Sequence, residues 1–131
     1  MKARRVLLDT CTFLWWCAGD ARLSARAHQL ITGSRTTVYV SAISAWEMEI
    51  KAQLGRLRLP RSGADFVAAE CAANALTFVP FRLDDVVAFG RLPVTRHDPF
   101  DRALAAQALA LDAPILSPDV AFDALGVARE W

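Results

Sequence analysis

Asp9, Glu47, Asp101 and Asp119 are the residues of this chain with the clearest capacity for chemistry. Asp9 follows the apolar run Val6-Leu7-Leu8, and Asp119 follows Ile115-Leu116-Ser117 with one proline between. Both runs have the short, continuous apolar character of strands buried on both faces. Glu47 is spaced with Ile43, Ile50 and Leu54 so that all four share one helix face, and Asp101 heads the row Leu104, Ala105, Ala108, Leu111 in the same way. A carboxylate turned toward a core is costly unless something compensates it. Several in one pocket repel one another and, without cations, some must take up protons. Hard divalent ions such as Mg²⁺ or Mn²⁺ accept oxygen ligands and relieve that repulsion. The chemistry such a set serves is in-line displacement at phosphorus, with one ion acidifying a water and a second stabilising the leaving oxygen.

Each acid also has a purely structural explanation. Asp9 and Asp119 can cap the helices that follow them. Glu47 can pair with Lys51 one turn on, worth only ~0.3–0.5 kcal/mol. Asp101 can interact favourably with a helix N-terminus, worth about 0.3–1 kcal/mol. Asp98, placed before Pro99, is a sufficient N-cap with proline at the first helical position. Glu49 falls on a different face from Glu47 and is expected to be solvated.

The elements that must position these residues alternate. Strands are expected at 6–8, 38–40, 78–79 and 114–117. Helices or helical turns are expected at 12–17, from Ser24 to Ile31, from Ser41 or Ser44 to Leu54, at 62–75, at 83–90, from Asp98 to Leu111, and at 119–125. Leu57 to Pro60 is a connector. Strands alternating with helices argue for an α/β fold, a mostly parallel sheet of four to five short strands covered on both faces. If the strands before Asp9 and Asp119 are parallel neighbours, both acids emerge at the carboxyl edge, where open α/β sheets place their sites.

The whole chain bounds this picture. Its 131 residues make one domain (1–131) with room for a real core, and a 54% hydrophobic content fits a compact soluble protein. A formal net charge of +1 gives no global basic field for nucleic acid. Cys11, Cys17 and Cys71 are odd in number and lack C-x-x-C spacing, which suits reduced thiols in a cytosol. Lys2, Arg4 and Arg5 before an apolar stretch imitate a signal peptide, but Asp9, Thr10 and Thr12 interrupt it. No run is long enough to span a bilayer, and the protein is expected to be cytoplasmic.

The segments that carry the acids resemble those of a known family. Leu7-Leu8-Asp9-Thr10-Cys11-Thr12-Phe13-Leu14-Trp15-Trp16 resembles the opening of PIN-domain proteins of the VapC toxin type. Ser41 to Lys51 with Gly55-Arg56-Leu57 is similar to that family's second motif. His97-Asp98-Pro99-Phe100-Asp101-Arg102, leading into Ala106-Gln107-Ala108, is similar to the third, and Ile115 to Asp119 to the fourth. The resemblance implies a PIN-like fold and a metal-dependent endoribonuclease, the toxin of a bacterial toxin–antitoxin pair. By motif position it implies Asp9, Glu47, Asp101 and Asp119 as catalytic, metal-binding acids with Mg²⁺ or Mn²⁺, supported by Asp98, Thr10 and Ser117. Ser117 stands where the family usually has threonine, and Cys11 where histidine is common. The resemblance further implies a homodimer, an RNA substrate and inhibition by a VapB-like antitoxin.

Other residues carry weaker expectations. Arg96 and Arg102 flank the third motif and could hold RNA phosphates. Trp15, Trp16 and Trp46 are expected in the core, yet adjacent Trp15 and Trp16 cannot both face inward on one helix, so one is expected to meet a partner. His97 is expected to cap or support. Two other functions compete. A haloacid-dehalogenase-type phosphatase also begins with an aspartate after the first strand, but it needs a second two residues on, where this chain has Cys11. A catalytically inactive, protein-binding module would keep the acids as relics.

Overall fold

The computed structural model describes residues 3–131; Lys2, part of the basic N-terminal run, lies outside them. Twelve elements follow in the order β1 (Arg4–Leu8), α1 (Thr10–Ala18), α2 (Ala25–Thr32), β2 (Thr36–Ser41), α3 (Ala42–Gln53), α4 (Gly63–Asn74), β3 (Thr77–Val79), α5 (Leu83–Gly90), α6 (Pro99–Leu111), β4 (Ile115–Leu116), a 3-10 helix (Val120–Leu125) and β5 (Arg129–Glu130). The strands form one sheet in the order β3-β2-β1-β4-β5. Every pairing is parallel, so the expected α/β architecture is borne out and is parallel throughout rather than mostly so.

Alternation along the strands splits the interior in two. Val6 and Leu8 of β1, Val38 and Val40 of β2 and Leu116 of β4 face one layer, with Phe13, Leu30, Met48 and Val67 from α1 to α4. Leu7, Tyr39 and Ile115 face the other, with Leu104, Ala105 and Ala108 of α6, Phe122 and Leu125. Burial on both faces is why these strands read as unbroken apolar runs. β5 was not expected, because Arg129 and Glu130 carry no apolar signal. It is an edge strand held by pairing to β4, with Arg4 and Arg26 both on Glu130.

The helix starts follow local capping chemistry. Ser24, Ser41 and Ser62 each accept a backbone N–H from the first turn beyond them, at 2.9, 3.0 and 3.2 Å. Ser41, not Ser44, therefore caps α3. The inward face of α3 also differs from the expected stripe. Ile43, Ser44, Glu47 and Met48 are buried, whereas Leu54 is 60% exposed because α3 ends at Gln53 and the chain turns at Gly55.

Two further expectations are corrected. Trp46 is 59% exposed and packs edge-on against Phe100 at 5.0 Å, since the buried face of α3 is taken by Ser44, Glu47 and Met48. Glu49 is not simply solvated: it accepts the Gly63 N–H at 2.9 Å, satisfying a free donor at the start of α4. Trp15 and Trp16 are both half-buried, Trp15 against Trp131 and under the Arg22 guanidinium, Trp16 against His28. All three cysteines are unpaired. Among the described residues no helix is long and apolar enough to cross a membrane.

Candidate active site

The carboxyl edge of the sheet gathers the acids. Asp9 lies directly beyond β1, Glu47 in the second turn of α3 (which starts where β2 ends), Asp101 in the first turn of α6, and Asp119 three residues past β4. Because β1 lies between β2 and β4, all four are carried to neighbouring positions on one edge.

Asp9 is 6% exposed. One of its oxygens caps α1 by accepting the Thr12 N–H at 2.8 Å, and the other accepts the Ser117 hydroxyl at 2.6 Å. Ser117, itself fully buried, also accepts the Asp119 N–H at 3.0 Å. Glu47 is 7% exposed. The Thr10 hydroxyl donates to its Oε1 at 2.7 Å, and the Lys51 Nζ lies 2.7 Å from its Oε2. Thr10 has one proton, which goes to the carboxylate, so Ser44 donates in the 2.9 Å contact between the two hydroxyls. Asp98 caps α6 through the N–H groups of Phe100 at 2.7 Å and Asp101 at 3.4 Å. Asp119 caps the 3-10 helix through Ala121 at 2.9 Å. Capping and clustering therefore coincide: the helices that need N-terminal acceptors start at the edge where the acids collect.

The electrostatics show how near the acids stand. Burial holds the Asp9 carboxyl above the usual aspartate range, against the bonds from Ser117 and Thr12, and Asp119 adds repulsion. The Asp101 carboxyl is pushed up to about 7, first by burial and then by the charges of Asp98, Glu47, Asp9 and Asp119. Five acids thus share one field. An all-oxygen donor set of one sign suits a hard divalent ion in its chemistry. As the side chains are placed, however, no group of three His, Cys, Asp or Glu among the described residues is gathered tightly enough to hold a metal ion. The oxygens of Asp9, Glu47 and Asp119 are directed to hydroxyls, backbone N–H groups and Lys51.

Other predicted residues have structural employment. Arg102 donates to Pro93 O at 2.7 Å and Thr95 Oγ1 at 3.0 Å and lies 5.1 Å from the centre of the Phe89 ring, so it fastens the loop before α6. His97 shares Thr95 through its Nδ1 at 2.6 Å. Arg96 is exposed. Cys11 is exposed at the mouth, its thiol pushed up by burial of its sulfur and by Asp9.

Two contributors escaped sequence reasoning. Ser44 supplies the second hydroxyl of the Glu47 network, and its only signal was a polar residue on the inward side of α3. Gln107, 1% exposed within α6, donates to Pro80 O at 2.9 Å and ties α6 to the segment after β3.

The comparisons with known proteins agree with this fold. The chain superposes on VapBC2 from Rickettsia felis bound to a DNA fragment from their promoter, with a TM-score of 0.68, 13% identity and 96% and 97% of the two chains covered. It superposes on VapBC-1 from nontypeable Haemophilus influenzae with a TM-score of 0.61, 16% identity and 96% coverage of each chain. For FitAcB from Neisseria gonorrhoeae the TM-score is 0.54 at 16% identity, with 95% of each chain covered. These identities carry the shared fold. No curated protein sequence matches. The PIN domain family model matches residues 6–128, from the middle of β1 to the residue before β5, so it takes in all four acids and the strands and helices that bring them together; the chain belongs to the PIN-domain family.

Proposed function

We propose that this protein is a metal-dependent endoribonuclease of the VapC type, the toxin of a bacterial toxin–antitoxin pair that acts in the cytoplasm. The observation that carries this reading is the convergence of Asp9, Glu47, Asp101 and Asp119 at one sheet edge, with the Asp101 carboxyl pushed up to about 7 by burial and by its acidic neighbours. Asp9, Glu47, Asp101 and Asp119 would hold Mg²⁺ or Mn²⁺. When bound, the ion lowers the pKa of water and neutralises charge on the phosphodiester. The chain's part is to aim the acids. Ser117 and Thr10 orient Asp9 and Glu47, Asp98 fixes the first turn of α6 beneath Asp101, and Arg102 fastens the loop beside it. The exposed Arg96 would meet RNA phosphates. The structures it superposes on are toxin–antitoxin complexes by name, which supports a VapB-like antitoxin as partner. We assign a homodimer as the working assembly and the half-buried Trp15 and Trp16 to partner contact.

Membership of the PIN-domain family sets aside the phosphatase reading. One observation favours a non-catalytic binding module: the acids do not converge as a ready-made ion cage. Purified protein, freed of any bound antitoxin and incubated with a structured RNA panel, decides between them. Cuts that need Mn²⁺ or Mg²⁺, vanish with EDTA and are absent with Asp101→Asn support the nuclease. No cutting, together with no divalent-ion binding, supports the module.

A further inference from the structure

Among the described residues, Glu47 is the only one of the four acids that a basic side chain touches. Lys51 stands one helical turn beyond it, with Nζ 2.7 Å from Oε2. The Glu47 side chain is 10% exposed and that of Lys51 is 45% exposed, so the anion is fixed in the interior while the cation reaches it from water. Thr10, itself bonded to Ser44, holds Oε1 in place, which leaves Oε2 to Lys51. Lys51 also lies within electrostatic reach of Cys11 and Asp98, both exposed at the mouth of the site.

These positions set two contacts in competition. A divalent ion on Oε2 would take one of that oxygen's lone pairs and draw its negative charge away from the ammonium. The two cations would also stand only a few ångströms apart. A half-solvated pair one turn apart on a helix is weak, so the contact yields easily. The lysine stem is flexible and rooted on α3, so the ammonium, once off Glu47, stays over the site.

Resting on the nuclease reading, we propose that Lys51 is a displaceable internal counter-ion. It neutralises Glu47 until a divalent ion takes Oε2, and its freed ammonium then pairs with a non-bridging oxygen of the RNA phosphate at the mouth of the site. Lys51 is in this sense a positioning and phosphate-binding residue, and the pair with Glu47 makes ion binding and substrate binding mutually supportive.

The test is Mn²⁺ titration by calorimetry, with no RNA present, of the wild type, Lys51→Met and Lys51→Arg, alongside cleavage kinetics at saturating Mn²⁺. Removing one unit charge beside a divalent ion tightens Mn²⁺ binding about ten-fold in Lys51→Met. The same variant shows a KM for RNA raised about five- to twenty-fold, the loss of one charge-assisted phosphate contact, with kcat little changed; Lys51→Arg restores both. A merely structural lysine would weaken ion and RNA binding together. Mn²⁺ affinity that is unchanged or weaker in Lys51→Met overturns the counter-ion role, and an unchanged KM overturns the phosphate contact, in both cases with wild-type cutting intact. A wild type that neither binds Mn²⁺ nor cuts RNA overturns the nuclease reading and this proposal with it.

Discussion

Ser117 donates its hydroxyl to Asp9 at 2.6 Å and accepts the backbone N–H of Asp119 at 3.0 Å. One fully buried oxygen thereby links the acids that close two adjacent parallel strands, β1 and β4. The distance between those acids is set by strand spacing, and the rotamer of Asp9 by this single hydroxyl.

Replacing Ser117 should therefore cost both stability and activity. Ser117→Ala leaves the Asp119 N–H and one Asp9 oxygen unpartnered, a loss of about 1–3 kcal/mol. Urea unfolding should show this as a lower midpoint at unchanged slope, and cleavage should fall about ten-fold, as a ~1.4 kcal/mol loss of positioning would give. Ser117→Thr keeps the hydroxyl and should retain most activity. An alanine variant with full stability would show that water replaces the hydroxyl.

Thr10→Val tests the other support. Valine keeps the volume and removes the donor, so Glu47 Oε1 and Ser44 both lose a partner. A destabilisation of about 1–3 kcal/mol is expected, with Thr10→Ser close to wild type. Mn²⁺ affinity should drop in Thr10→Val as Glu47 loses its fixed rotamer; equal affinity would mean that helix packing, not the Thr10 hydroxyl, sets that rotamer.

The raised Asp101 carboxyl makes stability depend on pH in a defined direction. Its folded value of about 7 lies above the ordinary aspartate value near ~3.9. The folded state therefore holds the proton more tightly, and this contribution is full below about pH 4 and is lost as pH rises through about 7. In EDTA, stability should decline across that window from this group alone, by about 1–2 kcal/mol once solvent screening of the partly exposed carboxyl is allowed for. Asp101→Asn should flatten the decline and raise stability at pH 8 while abolishing cleavage. Urea midpoints from pH 4 to 8, with EDTA and with Mn²⁺, measure it; a decline undiminished in Asp101→Asn would assign it to other groups.

The crossing of α3 and α4 rests on a glycine. A Cβ at Gly63 would stand 2.9 Å from the Ala45 carbonyl oxygen and 3.2 Å from the Glu49 N, both backbone atoms of α3. Gly63→Ala must push the helices apart and stretch the Glu49 cap on its N–H. A loss of about 1–3 kcal/mol is expected for such overpacking, measurable by thermal unfolding. Cleavage should fall as well, because Ala45 and Glu49 flank Glu47 along α3 and the push reaches the carboxylate that Thr10 holds.

The sequence by itself determined the strands that cross the core and the faces that carry the acids. β1, β2 and β4 are short and doubly buried, so apolar runs marked them, and Asp9 and Asp119 followed from where those runs stop. Period alone turned Glu47 and Asp101 inward, and local capping residues marked the starts of α2, α4 and α6. Tertiary structure decided the rest. β5 exists only because β4 offers an edge, Trp46 is outside only because Ser44, Glu47 and Met48 occupy the inner face of α3, and Glu49 has a partner only because α4 crosses α3 at Gly63. Which oxygen of Glu47 meets Thr10 and which meets Lys51 is likewise beyond any pattern in the chain. Periodicity reports the side of an element a residue lies on, whereas hydrogen bonds, ion pairs and edge pairing depend on distances between elements far apart in sequence.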